Sequence, residues 1–516
     1  MANNIFLTRD GKLDAVDLPA FTSLVQRLAN KQSKVLLHIH GGLVNQAAGQ
    51  AAAQRLGGPA PDGFGLGPDW EQIYVVWRTG PLETLKTNWP DLFNNDRIYN
   101  AVLKKLIAFV SNKLGIPGVE GRSAFSAHGL TATEIAARLQ DRSGGDPFAD
   151  VNVSIERDTP TGRGPSVTAQ TDNALAAEFT LTLQLDTEFS AAVDDIAATL
   201  TFDPAQGRSL APRGNPNRGR AAFDRLDLDI KTDLTTAMPA EPAARSLLTA
   251  VEVGKFLIKH AVAIVIRIIR RFRGKRDHGF YPTVVEELAR EMYGDLIGAT
   301  IWGMMKTDAS DHFAKDGFGT ALVAALAAAP PPRFAVSAHS AGAIWASAML
   351  KAMVGVPNAP RARVAFLAPA VRVDFFADAI KQGAASVERF RMFTMRDELE
   401  HQDAVLGPGT GFIYPCSLLY LVSGLFEEAK DDAFPDAPLL GMQRFLSADP
   451  AWLTDPDQVD AVQKSTAFLT APDHSTVYAV SNGGPGRSTA ATSHGAFDDD
   501  PKTLESVATF FNEAAP

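Results

Sequence analysis

The chain has 516 residues, 46% of them apolar and 21% charged, and a formal charge of −10 from 49 basic and 59 acidic side chains. These values suit a large globular protein, exclude a wholly disordered chain, a coiled coil or a collagen, and leave no global attraction for nucleic acid. The single cysteine, Cys416, excludes an intrachain disulfide and a thiolate metal cluster.

The chain opens with MANNIFLTRDGKLDAVD, which lacks the basic start and apolar run of a secretory leader. No stretch of about 18 uncharged apolar residues occurs, so no membrane span is expected and a cytoplasmic protein is. The run Val35-Leu36-Leu37-His38-Ile39-His40 stops at Gly41-Gly42, and Ile73 to Trp77 stops before Arg78-Thr79-Gly80. Both read as strands buried on two faces, because their apolar residues are continuous rather than alternating. Helix-period apolar residues follow up to Leu114.

Residues 118–275 have a different composition and read as an insertion or cap. Gly118 to Ala244 is rich in Asp, Thr, Arg, Pro and Gly. Within it Phe179 to Leu185 alternates as a half-buried strand should, and Asp203 to Arg220 reads as a loop. Ser246 to Arg276 follows, with apolar residues at Val253, Phe256, Leu257, Ala261, Ile264, Val265, Ile268, Ile269 and Phe272. That spacing is helical. Eight Lys or Arg residues stand there against one Glu. The plain reading is a core-packing helix with a solvated basic end. The functional reading is peripheral contact of residues 246–276 with an anionic membrane, or a lid over the site with Arg267, Arg270, Arg271 and Arg273 turned to solvent.

The second half alternates strands and helices more clearly. Phe334 to Ala338, Val364 to Ala368, Phe390 to Met395 and Thr476 to Val480 read as strands, Ala341 to Val354 and Pro501 to Phe511 as helices. The expected fold is α/β: a mostly parallel sheet with helices on both faces. Its core is residues 1–117 and 276–516.

The sharpest motif is Ala338-His339-Ser340-Ala341-Gly342, set between a strand and a helix. A serine in so tight a turn projects its hydroxyl above the sheet edge, and the helix that follows points unpaired N–H groups at it. This segment resembles the nucleophile elbow of the alpha/beta-hydrolase superfamily, Gly-x-Ser-x-Gly, with Ala338 in place of the first glycine. The resemblance implies a serine esterase or lipase-like enzyme with Ser340 as nucleophile. It also implies a second oxyanion donor from the loop after an early strand, here Gly42 or Leu43, beside the N–H of Ala341. His40 reads as ordering that loop. In the family order of serine, acid and histidine, His494 lies between the last strand and the last helix, where the base belongs. Asp397, just past the strand Phe390 to Met395, is the preferred acid, with Asp403 second and Glu398 third. The chemistry needs no cofactor and no metal: no histidine pair has zinc spacing on a credible helix, and no Gly-x-Gly-x-x-Gly or Walker loop is present. Asp498-Asp499-Asp500 reads as a cap for the last helix.

The expected activity is hydrolysis of a small-molecule or lipid ester through an acyl-enzyme, with no nucleic-acid partner. An amidase or thioesterase using the same triad, and a non-catalytic interaction or membrane-surface protein on the same fold, are the alternatives.

Overall fold

The computed structural model describes residues 4–514 apart from 31, 43–44, 78–80, 117–128, 153–169, 204–207, 210–212, 237–244, 275, 428–435, 447–452 and 454. An eight-stranded sheet forms its centre. The strands are β1 (Asn4–Arg9), β2 (Lys12–Leu13), β3 (Lys34–Ile39), β4 (Trp70–Trp77), β5 (Phe334–His339), β6 (Ala362–Leu367), β7 (Val387–Met395) and β8 (His474–Ala479). Their spatial order is β8-β7-β6-β5-β3-β4-β1-β2, with every pair parallel except the edge hairpin β1-β2.

The central strands are apolar on both faces because both faces are covered. Leu36, Tyr74, Val76, Ala335, Leu367 and Phe393 pack beneath the helices α1 (Gln46–Leu56) and α10 (Pro501–Asn512). Val35, Leu37, Val336, Val364 and Phe366 join the larger core on the other face. That core includes α2 (Arg97–Lys113), α6 (Phe280–Met292), α7 (Ala299–Asp311), α8 (Gly342–Ala352) and α9 (Val373–Gly383).

The chain leaves the sheet after Trp77 and returns at Phe334, beside β3. From β3 the strand order runs outward through β4 and β1 on one side and through β5 to β8 on the other. The carboxyl ends of β3 and β5 therefore flank the point where the order reverses. In parallel sheets this crevice is where ligands bind.

Within residues 118–275 the described part is mainly helical. Phe179 to Leu185 is not a strand: it belongs largely to α3 (Asp172–Gln184). Leu175, Phe179 and Leu183 are buried at a spacing of four while Leu181 and Leu185 stay exposed, so the helical period overrides the local alternation. The segment Asp203 to Arg220 also carries structure, a short antiparallel pair at 202–203 and 208–209 and the start of a helix at Pro216 capped by Asn215.

The basic segment forms α5 (Arg245–Arg273), packed on α3, on α4 (Thr187–Leu200) and on α6. Its apolar stripe is buried as its spacing predicts. Of its four expected solvent-facing arginines, Arg270 and Arg273 are exposed, whereas Arg267 is half-buried and Arg271 buried. Arg271 is buried, bonding Glu286 at 2.8 Å, Glu287 at 3.0 Å and Asp436 at 2.7 Å. Arg267 pairs with Glu287 and Glu291, and Arg270 and Arg273 with Asp172. The acids that neutralise this helix come from α3, α6 and the loop at Asp436, too far along the chain for a local charge count to include. Among the described residues, no hydrogen bond or ion pair of α5 reaches Ser340 or His494. No described helix is long and apolar enough to cross a membrane.

Candidate active site

β5 ends at His339, and the chain turns sharply into α8. Ser340 at the turn has φ +52°, a left-handed conformation unfavourable for a residue with a Cβ. Neighbouring strand ends hold it there. The Ser340 N–H donates to the Leu367 carbonyl at 2.8 Å, and the Ala370 N–H donates to the Ser340 carbonyl at 3.0 Å. A Cβ on Gly342 would fall 2.5 Å from the Ile39 carbonyl oxygen and 2.8 Å from that of His40, so only glycine lets α8 start so close to β3.

This turn delivers the serine to a histidine from the far end of the chain. His494 Nε2 lies 2.8 Å from Ser340 Oγ, and both residues are buried. Burial, and the His339 ring beside it, hold the His494 imidazole well below its ordinary pKa. The imidazole is therefore neutral near pH 7, the form that accepts a proton.

The loop after β3 passes in front of the serine. A Cβ on Gly41 would sit 3.2 Å from Ser340 Cβ, and one on Gly42 would overlap Ala341 Cβ and the Met305 sulfur of α7. His40 Nδ1 lies 2.5 Å from the Gly41 carbonyl oxygen, and the His40 carbonyl accepts from Trp77 Nε1 at 3.1 Å. Fixing the Gly41 carbonyl fixes the Gly42 N–H on the opposite side of the same planar peptide. Among the described residues, no acceptor takes the N–H of Gly42 or Ala341. The other residue expected to donate here, Leu43, lies outside the described residues.

The structure does not bring Asp397 to His494. The Asp397 carboxylate accepts from the Tyr420 hydroxyl at 2.6 Å and faces His401 at 4.0 Å. The short helix Asp397–Glu400 turns its carboxylate toward the segment around Tyr420. Glu398 makes no contact with His494 either. Asp403 is the carboxylate that touches the histidine: its Oδ2 accepts from the His494 backbone N–H at 2.8 Å. Burial raises the Asp403 carboxyl above its ordinary pKa, against the lowering effect of that hydrogen bond. His494 Nδ1 is buried and finds no hydrogen-bond partner among the described residues.

Sequence reasoning missed two neighbours. His339, one residue before the serine, stacks on His494 with ring centroids 5.4 Å apart, and its Nε2 lies 3.1 Å from the His494 carbonyl oxygen. Its Nδ1 faces Asp498 at 3.6 Å, and Arg55 holds Asp498 through its backbone carbonyl at 2.7 Å. Met305 is the other, and no local pattern marks it. Of the aspartate run, Asp500 caps α10, accepting from the Thr503 N–H at 3.0 Å.

No family model, no curated protein and no solved structure matches the chain.

Among the described residues, no third metal-ligating side chain stands with His38 and His40. Both lie buried beneath α1, His38 against Phe64 and Tyr74, and burial lowers the His38 pKa and brings His40 down to about 4. The one described cluster with metal-like spacing is His278, Glu286 and Asp436. Arg271 already bonds both of its carboxylates and stands where a cation would neutralise them.

Proposed function

We propose that the protein is a serine hydrolase of the alpha/beta-hydrolase type that cleaves carboxylic esters through an acyl-enzyme. The observation that carries this reading is the 2.8 Å contact between Ser340 Oγ and His494 Nε2 at a strand-to-helix turn with φ +52°. A hydroxyl becomes a nucleophile when a neutral base accepts its proton, and a buried imidazole with a lowered pKa is such a base.

In this reading Ser340 Oγ attacks the ester carbonyl carbon while its proton passes to His494 Nε2. The carbonyl oxygen gains negative charge and is met by the N–H groups of Ala341 and Gly42, at the positive end of α8. The protonated His494 gives its proton to the leaving alcohol. Water then attacks the acyl-enzyme with His494 again as base, and Ser340 is released. The positive imidazolium needs a carboxylate, and Asp403 takes that place rather than Asp397. It already holds the His494 backbone, and a turn of its carboxylate toward the unpartnered Nδ1 completes the relay.

Labelling with a fluorophosphonate probe, together with hydrolysis of p-nitrophenyl esters, tests the reading. The wild-type protein is expected to be labelled at Ser340 and to turn over the esters. A folded wild-type protein inert to both refutes it.

A further inference from the structure

A cleft of about 400 Å3 opens beside the serine turn, walled by Lys306, Ile344, Val371, Arg372 and Phe375. It shares Lys306 and Glu427 with a larger hollow of about 1060 Å3 that runs along α7 past Met304. Volumes of this size suit a small-molecule ligand.

Three of its walls adjoin residues that pack against the serine turn or the glycine loop in front of it. Ile344 lies in the first turn of α8, its N–H donating to the Ala341 carbonyl at 2.9 Å. Val371 follows Ala370, whose N–H holds the Ser340 carbonyl. Lys306 follows Met305, whose sulfur covers Gly42. Ser340 itself is 2% exposed, and Met305, unbranched and adaptable, packs against Gly42 in front of the turn.

The charges of the cleft are spent on one another. Glu427, its side chain 1% exposed, bonds Lys306 at 2.7 Å and Trp302 Nε1 at 2.8 Å and faces Arg372 at 3.6 Å. Arg372 also grips Asp374 at 2.8 Å. Two cations thus meet two carboxylates, and a ligand bringing a further carboxylate would have to break a pair already made. Phe375, half-buried, and the exposed edge of Ile344 offer apolar surface instead, over the buried Val371.

We propose that this cleft receives the uncharged, apolar acyl chain of a medium-chain ester, with Ile344 and Phe375 setting its length. The assignment rests on the serine hydrolase reading above. Each methylene buried there is worth about fourfold in kcat/KM until the cleft is full.

The test is a p-nitrophenyl ester series from acetate to dodecanoate, with the glutarate monoester as the charged arm. In the wild-type protein octanoate should exceed acetate by at least about tenfold in kcat/KM, and the glutarate monoester should fall well below butyrate. Ile344→Trp, which fills the cleft, should cut the octanoate-to-acetate ratio by about tenfold, and Phe375→Ala should move the optimum to longer chains. Phe375 is half-buried, so its variant decides the matter if Ile344→Trp does not fold. An unchanged chain-length profile in the folded variants, or a glutarate monoester as good as butyrate, overturns the cleft assignment and leaves the hydrolase reading intact. A wild-type protein inert to the whole series and to the fluorophosphonate overturns both.

Discussion

Two regions of this molecule each hold a histidine, a carboxylate and a side chain able to act as nucleophile. In the first, His494 meets Ser340 at 2.8 Å and Asp403 at its backbone N–H. In the second, His401 Nδ1 lies 3.6 Å from Cys416 Sγ, and the Tyr420 hydroxyl stands between His401 Nε2, at 3.1 Å, and Asp397, at 2.6 Å. Side-chain types alone would nominate both. The backbone separates them. Ser340 sits on a left-handed turn at the crevice of the sheet, with glycine in front and a helix start behind, so in the proposed reading backbone N–H groups stand beside its hydroxyl. Cys416 lies buried in a loop where desolvation and nearby carboxylates push its thiol pKa well up, which disfavours the thiolate. Tyr420 fills the gap between acid and base. What separates the two sets is backbone geometry that no inventory of residues contains.

The contrast is broken or sharpened most strongly by comparing the two nucleophiles. Ser340→Ala should lower kcat/KM by about 10⁴–10⁶ and abolish fluorophosphonate labelling, while Cys416→Ser leaves labelling in place. Labelling that follows Cys416 would reverse the assignment of the two regions.

The two acids come next. Asp403→Asn should cost about 10²–10⁴ in kcat, and Asp397→Asn less than about tenfold, measured on variants with matched circular dichroism. The opposite ranking would return the acid role to Asp397.

The smallest effects concern pH. His494 must be neutral to accept the serine proton, and its pKa is held well below 6.5. The kcat/KM profile should therefore stay level as pH falls through 6.5 and decline only at lower pH. His339→Gln removes a neighbouring cation source and should move that acid limb upward by about one pH unit; an unmoved limb would make His339 a purely structural neighbour. A related test needs no substrate. His38, His40, His278 and His494 all have folded pKa values below the unfolded 6.5, so the unfolded chain takes up protons first as pH drops. Their contribution to stability is full above about pH 6.5 and is lost toward pH 4, with His40 alone, at about 4, contributing roughly 3 kcal/mol, while Asp96, Asp146 and Asp227, each raised to about 6 by burial, add stability over the same fall. His40→Gln should therefore lose less Tm than the wild-type protein between pH 7 and pH 4.5; equal losses would contradict the burial of this ring.

What the sequence made legible was local. Continuous apolar runs ending in glycine marked β3 and β4, and small residues around Ser340 marked the turn after β5, because chain geometry demands those residues there. What it hid was set by distant partners. Asp397 and Asp403 both follow the strand at Met395. Tyr420 and His494, brought in by the fold, decide what each carboxylate meets. On the basic helix the burial of Arg267 and Arg271 was hidden for the same reason. Its arginines are conspicuous along the chain, and the acids that cancel them lie on other elements. Phe179 to Leu185 shows the third limit: over seven residues an alternating pattern can coexist with a helical one.

The adjacency of β3 and β5 also sets a timetable. Val35 pairs with Phe334, so the central sheet cannot close until the ribosome has made everything between them. At about 5–20 residues per second that takes roughly 15–60 s, during which β3 offers an apolar strand edge to any neighbouring chain. His494 arrives later still. A nascent chain therefore carries its glycine loop first, Ser340 next and His494 last, so the contact between the two side chains forms only when synthesis is nearly complete. Its apolar edge therefore waits unpaired on one side throughout the first interval, a vulnerability that belongs to synthesis and not to the finished fold.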